Sequence, residues 1–85
     1  MADKNQWKAF VLIKFGTSTH LNFARLTKEK IAKIERVKEV YGVFGRHDII
    51  AKVEASSLES LASLIADKIR SIPGIISTET LVVGF

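Results

Sequence analysis

Apolar residues fall into four short runs rich in β-branched and aromatic side chains, and between two pairs of runs the apolar spacing changes to steps of three and four. Ala9 to Phe15 (AFVLIKF), with Lys14 its only charge, predicts a first strand. Phe10 and Leu12 fall on one face of it, and Val11, Ile13 and Phe15 on the other. Both faces are apolar. Gly16 to Arg25 (GTSTHLNFAR) carries no clear period. Gly16, Thr17, Ser18 and Thr19 are loop formers, while Leu21 and Phe23 need burial. His20 stands between them, and a lone imidazole in such a place is more often a surface group than a ligand. Thr27 reads as an N-cap for KEKIAKIER, a short amphipathic helix with Leu26, Ile31 and Ile34 as its apolar stripe.

Val40 to Val53 (VYGVFGRHDIIAKV) is the centre of the pattern. Two apolar runs flank Gly45-Arg46-His47-Asp48, which predicts a hairpin with arms Val37 to Phe44 and Asp48 to Ala55. Gly45 can take positive φ, and the Asp48 carboxylate can accept from backbone N–H groups of the turn. Ile49, Ala51, Val53 and Ala55 line one face of the second arm, and Ile50, Lys52 and Glu54 the other. Ser56 and Glu59 form a capping box for a helix with apolar residues at Leu58, Leu61, Ala62, Ile65, Ile69 and Ile72 and with Leu64 beside them. Pro73-Gly74 ends that helix. Ile75 to Phe85 predicts the last strand, with Ser77, Glu79, Leu81 and Val83 on one side and Ile76, Thr78, Thr80 and Val82 on the other.

Strand, helix, strand, strand, helix, strand is the order of an α+β, ferredoxin-like βαββαβ domain. Right-handed crossovers leave both helices on one face of a four-stranded antiparallel sheet. The other face then has nothing to cover it, although the first and last strands are apolar on both sides. A bare apolar face of that size predicts association of two copies sheet to sheet as a symmetric homodimer. A higher ring of such dimers is compatible with the pattern.

Composition sharpens this. The 85 residues predict a single domain, 1–85, and a chain this small hides only about 60–65% of its unfolded surface. Yet 47% of the residues are apolar against 26% charged, a supply that suits burial against a second copy. With no cysteine there is no disulfide framework and no thiolate metal site, and His20 and His47 alone make a poor metal site. No metal and no cofactor is expected. No apolar run approaches a membrane span, and Met1 to Asn5 is polar without a signal-like core, so the expected location is the cytoplasm. The net charge of +4 is spread along the chain and reads as solvated faces, so direct DNA contact is not expected.

The chain resembles the amino-acid-sensing (RAM) domain of the Lrp/AsnC transcription regulators. The carriers are AFVLIKF, VKEVYGVFGRHDIIAKVE, SSLESLASLIADKIRSIPGI and STETLVV, together covering Ala9 to Val83. Gly45-x-His47-Asp48 and the close from Pro73 to Thr80 are the more specific parts. The family's DNA-binding members carry a helix-turn-helix ahead of this domain, whereas only Met1 to Lys8 precede the first strand, so the likeness is to the stand-alone form or to a fragment. The segment before the first helix is longer than usual, and Glu35-Arg36 replaces the usual Pro-Gly before the second strand. The resemblance implies a non-enzymatic module that binds an amino-acid effector, oligomerises and partners a full-length Lrp/AsnC regulator of amino-acid metabolism. It implies effector contacts at Gly45, Arg46, His47, Asp48, Ser77, Thr78 and Thr80. Asp48 is a candidate acceptor for the effector's ammonium. Its carboxylate would find donors in the loop amides, Arg46, Thr78 and Thr80.

Two other readings compete. A small dimeric enzyme would use His47 and Asp48 for acid–base work, but neighbours on a strand point to opposite faces. A nucleic-acid-binding sheet would need exposed aromatics at its centre, where Tyr41 and Phe44 are the nearest.

Overall fold

The structure is a computed structural model that describes residues 7–16 and 21–85. The elements are β1 (Trp7–Phe15), α1 (Leu21–Ala32), β2 (Val37–Gly42), β3 (Ile49–Ala55), α2 (Leu58–Ser63), which runs on as a π-helical segment (Leu64–Ile69), and β4 (Ile75–Val82). The strands pair antiparallel in the order β2-β3-β1-β4, the ferredoxin-like topology expected from the order of elements.

Strand alternation sorts the residues as the pattern predicts. Ala9, Val11, Ile13 and Phe15 of β1 and Ile49, Ala51, Val53 and Ala55 of β3 are buried on the helix side. Leu61, Leu64, Ile65 and Ile69 close over them from above, with Ile31 of α1. Phe10, Leu12 and Lys14 point the other way, beside Ile50 and Lys52 of β3 and Ser77, Glu79 and Leu81 of β4. Among the described residues, no helix lies over that side.

Several local readings are corrected. Helix α1 begins at Leu21, six residues ahead of the expected cap, and Thr27 lies inside it at 3% exposure. Its inward stripe is Ala24, Thr27, Ile31 and Ile34, in steps of three and four, and Leu26 faces outward. A threonine read as a cap is thus a core residue of the stripe. The α2 cap is Ser57 rather than Ser56: its side chain accepts from the Ser60 amide at 3.0 Å, so the Ser56–Glu59 capping box does not form. The hairpin arms end at Gly42 and restart at Ile49, which releases Phe44 from the sheet into the loop, fully exposed. Strand β4 ends at Val82, short of the expected Phe85.

Phe23, expected to be buried, stays 36% exposed and packs against the turn that follows the second helix. Its ring meets Phe15 edge-on at 5.2 Å and lies over Gly74, where a Cβ would stand 2.3 Å from the Phe23 Cζ. Gly74 also has φ +96°, so this turn needs glycine for two reasons. At the position where Arg36 replaces the expected glycine, the backbone is left-handed as well, with φ +80°. The expectations for Met1 to Asn5, for Thr17, Ser18, Thr19 and His20, and for burial of the Leu21 side chain lie outside what the structure describes.

Candidate functional site

The loop between β2 and β3 is built around Asp48. Its carbonyl accepts from the Val43 amide at 2.9 Å, which closes the hairpin, and its own amide donates to the Ile13 carbonyl at 2.8 Å. Its carboxylate accepts from the Phe15 amide at 2.8 Å. The carboxylate therefore holds the end of the neighbouring strand, not the turn amides expected of it. Pairing of β1 with β3 ends at Ile13 and Ile49, so the Asp48 side chain supplies the Phe15 amide with the acceptor that β3 no longer offers. Gly45 takes the predicted left-handed conformation, with φ +140° and open space where a Cβ would stand. The Arg46 carbonyl accepts from the Lys14 ammonium at 3.2 Å.

His47 reaches across the open face of the sheet toward β4, its Nε2 lying 3.7 Å from the Glu79 Oε1. Ser77 stands on the same face, paired in register with Lys14. Arg46, His47, Asp48, Lys14, Ser77 and Glu79 thus form one polar cluster at the loop end of the open face. Glu79 and Lys14 were not among the predicted residues. The signal for Glu79 was present, since it lies two residues from Ser77 on the same side of a strand. His47 and Asp48 share no hydrogen bond, so the acid–base pair of the enzyme reading is not assembled.

Thr78 and Thr80 lie on the opposite side of the sheet. They pair in register with Ile13 and Val11 and face the helices, where with Val82 they form one wall of a groove of about 320 Å³. Leu58, Leu61, Ala62, Ile65, Ala66 and Arg70 form the other wall. The seven predicted site residues therefore divide: five stand at or beside the loop, and two lie across the sheet from it. Within one copy, Asp48 and the two threonines do not converge.

Farther along the open face, the Tyr41 hydroxyl donates to Glu39, and Lys52 lies 3.6 Å from the same carboxylate. The Tyr41 hydroxyl, with the ammonium, holds the Glu39 carboxyl below its ordinary range, and the bond to Glu39 raises the Tyr41 phenol. Phe10, Tyr41 and Leu81 leave between 39% and 53% of their surface uncovered on this face. Among the described residues no group of three or more His, Cys, Asp or Glu could hold a metal, and no helix is long and apolar enough to cross a membrane.

These features define a ferredoxin-like domain with one covered and one open sheet face and with an anchored loop at one end. The chain belongs to the Lrp/AsnC ligand binding domain family, whose model matches residues 8–84. It is 39% identical over 74 residues to an uncharacterized HTH-type transcriptional regulator of Pyrococcus abyssi, covering 87% of this chain and 49% of that protein. The chain spans about half the length of the curated relatives it matches. In structure it is similar to E. coli AsnC (TM-score 0.82, 28% identity, 94% of this chain and 52% of that one). It is similar also to a Thermus thermophilus protein of nearly the same extent (TM-score 0.82, 34% identity, 94% of this chain and 95% of that one).

Proposed function

We propose that this chain is an amino-acid-effector-binding and oligomerisation module that acts in the cytoplasm in transcriptional regulation of amino-acid metabolism. Copies associate through the open sheet face as a homodimer, and dimers can close into a ring. The module joins, or forms part of, a full-length Lrp/AsnC regulator that supplies the DNA-binding helix-turn-helix. Gly45, Arg46, His47, Asp48, Ser77, Thr78 and Thr80 are the candidate effector contacts. Because they divide between two sides of the sheet, a complete site needs more than one copy or uses only one of the two groups.

The observation that carries the reading is the uncovered face. Phe10, Leu12, Ile50 and Leu81 form an apolar surface on strands whose other side is already packed, which supports reading it as an association surface. The test is solution mass with and without an amino-acid mixture. A monomer that persists at high concentration overturns the association half. Thermal shift against the twenty amino acids tests the effector half: mass action raises stability by about 2.7 kcal/mol at a hundred-fold excess over Kd. If none of the twenty shifts the transition, the amino-acid assignment fails while the assembly reading stands.

A further inference from the structure

Arg36 carries two costs that a glycine in its place would not. Among the described residues it is the one non-glycine with positive φ, and that left-handed backbone is pinned to β3, since the Arg36 carbonyl accepts from the Glu54 amide at 3.0 Å. Its Nη1 is buried without a hydrogen-bond partner, again alone in this among the described residues. Nor is the guanidinium in an ion pair.

Arg36 lines a cleft of about 500 Å³ between the end of α1 and the second helix, on the flank of that helix away from β4. Ile34 and Leu64 form the apolar part of the cleft. Glu35, Glu59 and Asp67 line it too, against Lys68 as the other cation. None of the three carboxylates is in an ion pair. As a residue Arg36 is only partly buried, so a small rotation of its side chain presents Nη1 to an acceptor entering from the cleft.

Two needs therefore meet in one place. The buried donor lacks an acceptor, and the carboxylates around it lack positive charge. A free anion would satisfy Arg36 but face three carboxylates. A polyamine would satisfy the carboxylates but bring no acceptor, and its charge would oppose Arg36. A chain segment bearing lysine or arginine brings both main-chain carbonyls and cationic side chains. The protein as a whole carries a net charge of +4, so a cationic segment is drawn to this cleft and not to the surface at large.

We propose that the cleft docks an extended basic segment of a partner protein. A main-chain carbonyl of the segment accepts from the Arg36 guanidinium, and its lysine or arginine side chains pair with Glu59 and Asp67. The cleft lies on the helix side of the sheet, so it stays open when copies associate through the other face. The proposal is independent of the effector reading.

The test is titration of the isotope-labelled full chain, followed by amide chemical shifts. The probes are the capped peptide acetyl-Gly-Lys-Gly-Arg-Gly-amide, the same peptide with glutamate at both cationic positions, spermidine and inorganic phosphate. The basic peptide is expected to give saturable shifts centred on residues 34–36 and 59–68, and the other probes are not. Glu59→Gln and Asp67→Asn should each weaken it about two- to fivefold. Arg36→Gly should weaken it by about tenfold. Because glycine accepts the left-handed backbone, this variant should melt no lower than the parent, which separates loss of the peptide from loss of the fold. Should it melt lower, the two carboxylate variants, both at exposed positions, carry the test. Shifts centred elsewhere, shifts that all three variants leave unchanged, or no saturation at millimolar peptide overturn the proposal. So does a preference for phosphate or the acidic peptide, or spermidine binding as tightly as the basic peptide, which would mark a site for charge alone.

Discussion

The two sides of this sheet are made from the same strands and end in opposite condition. On the helix side, Val11, Ile13, Ile49, Ala51 and Val53 have no exposed surface. On the other side Phe10, Leu81 and Tyr41 remain half uncovered, interleaved with the Glu39–Lys52 ion pair and the His47–Glu79 contact. One side is a finished core; the other has the apolar content of an interior with the spaced charges of a surface. Such a mixture matches the interfaces between folded partners, which carry an apolar centre and a polar rim. The difference teaches that burial within one copy stabilises the fold, while the residues left over are free to determine what the copy meets.

The sharpest test of the contrast is truncation on the finished side. Ile13→Ala should lower unfolding free energy by about 2–5 kcal/mol in denaturant titration, because a rigid core does not fully collapse around the lost volume. A loss under about 1 kcal/mol would mean that the two sides are less different than their packing states. Next comes the margin between them. Asp48→Ala leaves the partly buried Phe15 amide without its acceptor and should cost about 1–3 kcal/mol, whereas Asp48→Asn keeps an oxygen there and should cost less. Equal losses from the two variants would count against the hydrogen bond as the cause.

On the open side the expected change in fold stability is small and the change in assembly large. Leu81→Lys, at a half-exposed position on an edge strand, should shift the stability of an isolated copy by no more than about 0.5 kcal/mol. In sedimentation it should shift the mass from dimer toward monomer. An unchanged mass would remove this face from the interface. The smallest effect belongs to Glu39. Its folded-state pKa is lowered by the Tyr41 hydroxyl and Lys52, so its contribution is present above the unfolded carboxylate value of about 4.3 and is lost as pH falls through the folded value. Tyr41 runs the other way: its raised phenol contributes below its unfolded value and ceases to as pH rises through the folded one. Because both groups are solvated the slopes should be slight, and Glu39→Gln should flatten the acid limb of a stability–pH curve.

Most of the fold was legible because a two-residue period in β1, β3 and β4 and a hydrophobic stripe in the second helix leave few alternatives. The errors came where one residue type serves two purposes. Thr27 satisfies the rule for a cap and also the spacing of the α1 core stripe, and packing decided for the stripe. Ser56 and Ser57 are both capping residues, and only the observed bond to Ser60 separates them. The candidate site was half legible. Gly45 and Asp48 fall where turn chemistry puts them, and strand parity alone places Ser77 and Thr78 on opposite sides. What parity could not show is that Asp48 is engaged by β1, or that a π-helical turn brings Arg70 beside Thr78 and Thr80. A pattern built on steps of three and four has no way to register a step of five.

The anchoring of Asp48 has one further consequence. With its amide, carbonyl and carboxylate all engaged by Val43 and by β1, the hairpin tip cannot shift without breaking bonds at the sheet's end. Gly45, Arg46 and His47 are therefore offered to any incoming molecule on a stiff mount. A docking partner meets a shape already set and forfeits little disorder in gripping it.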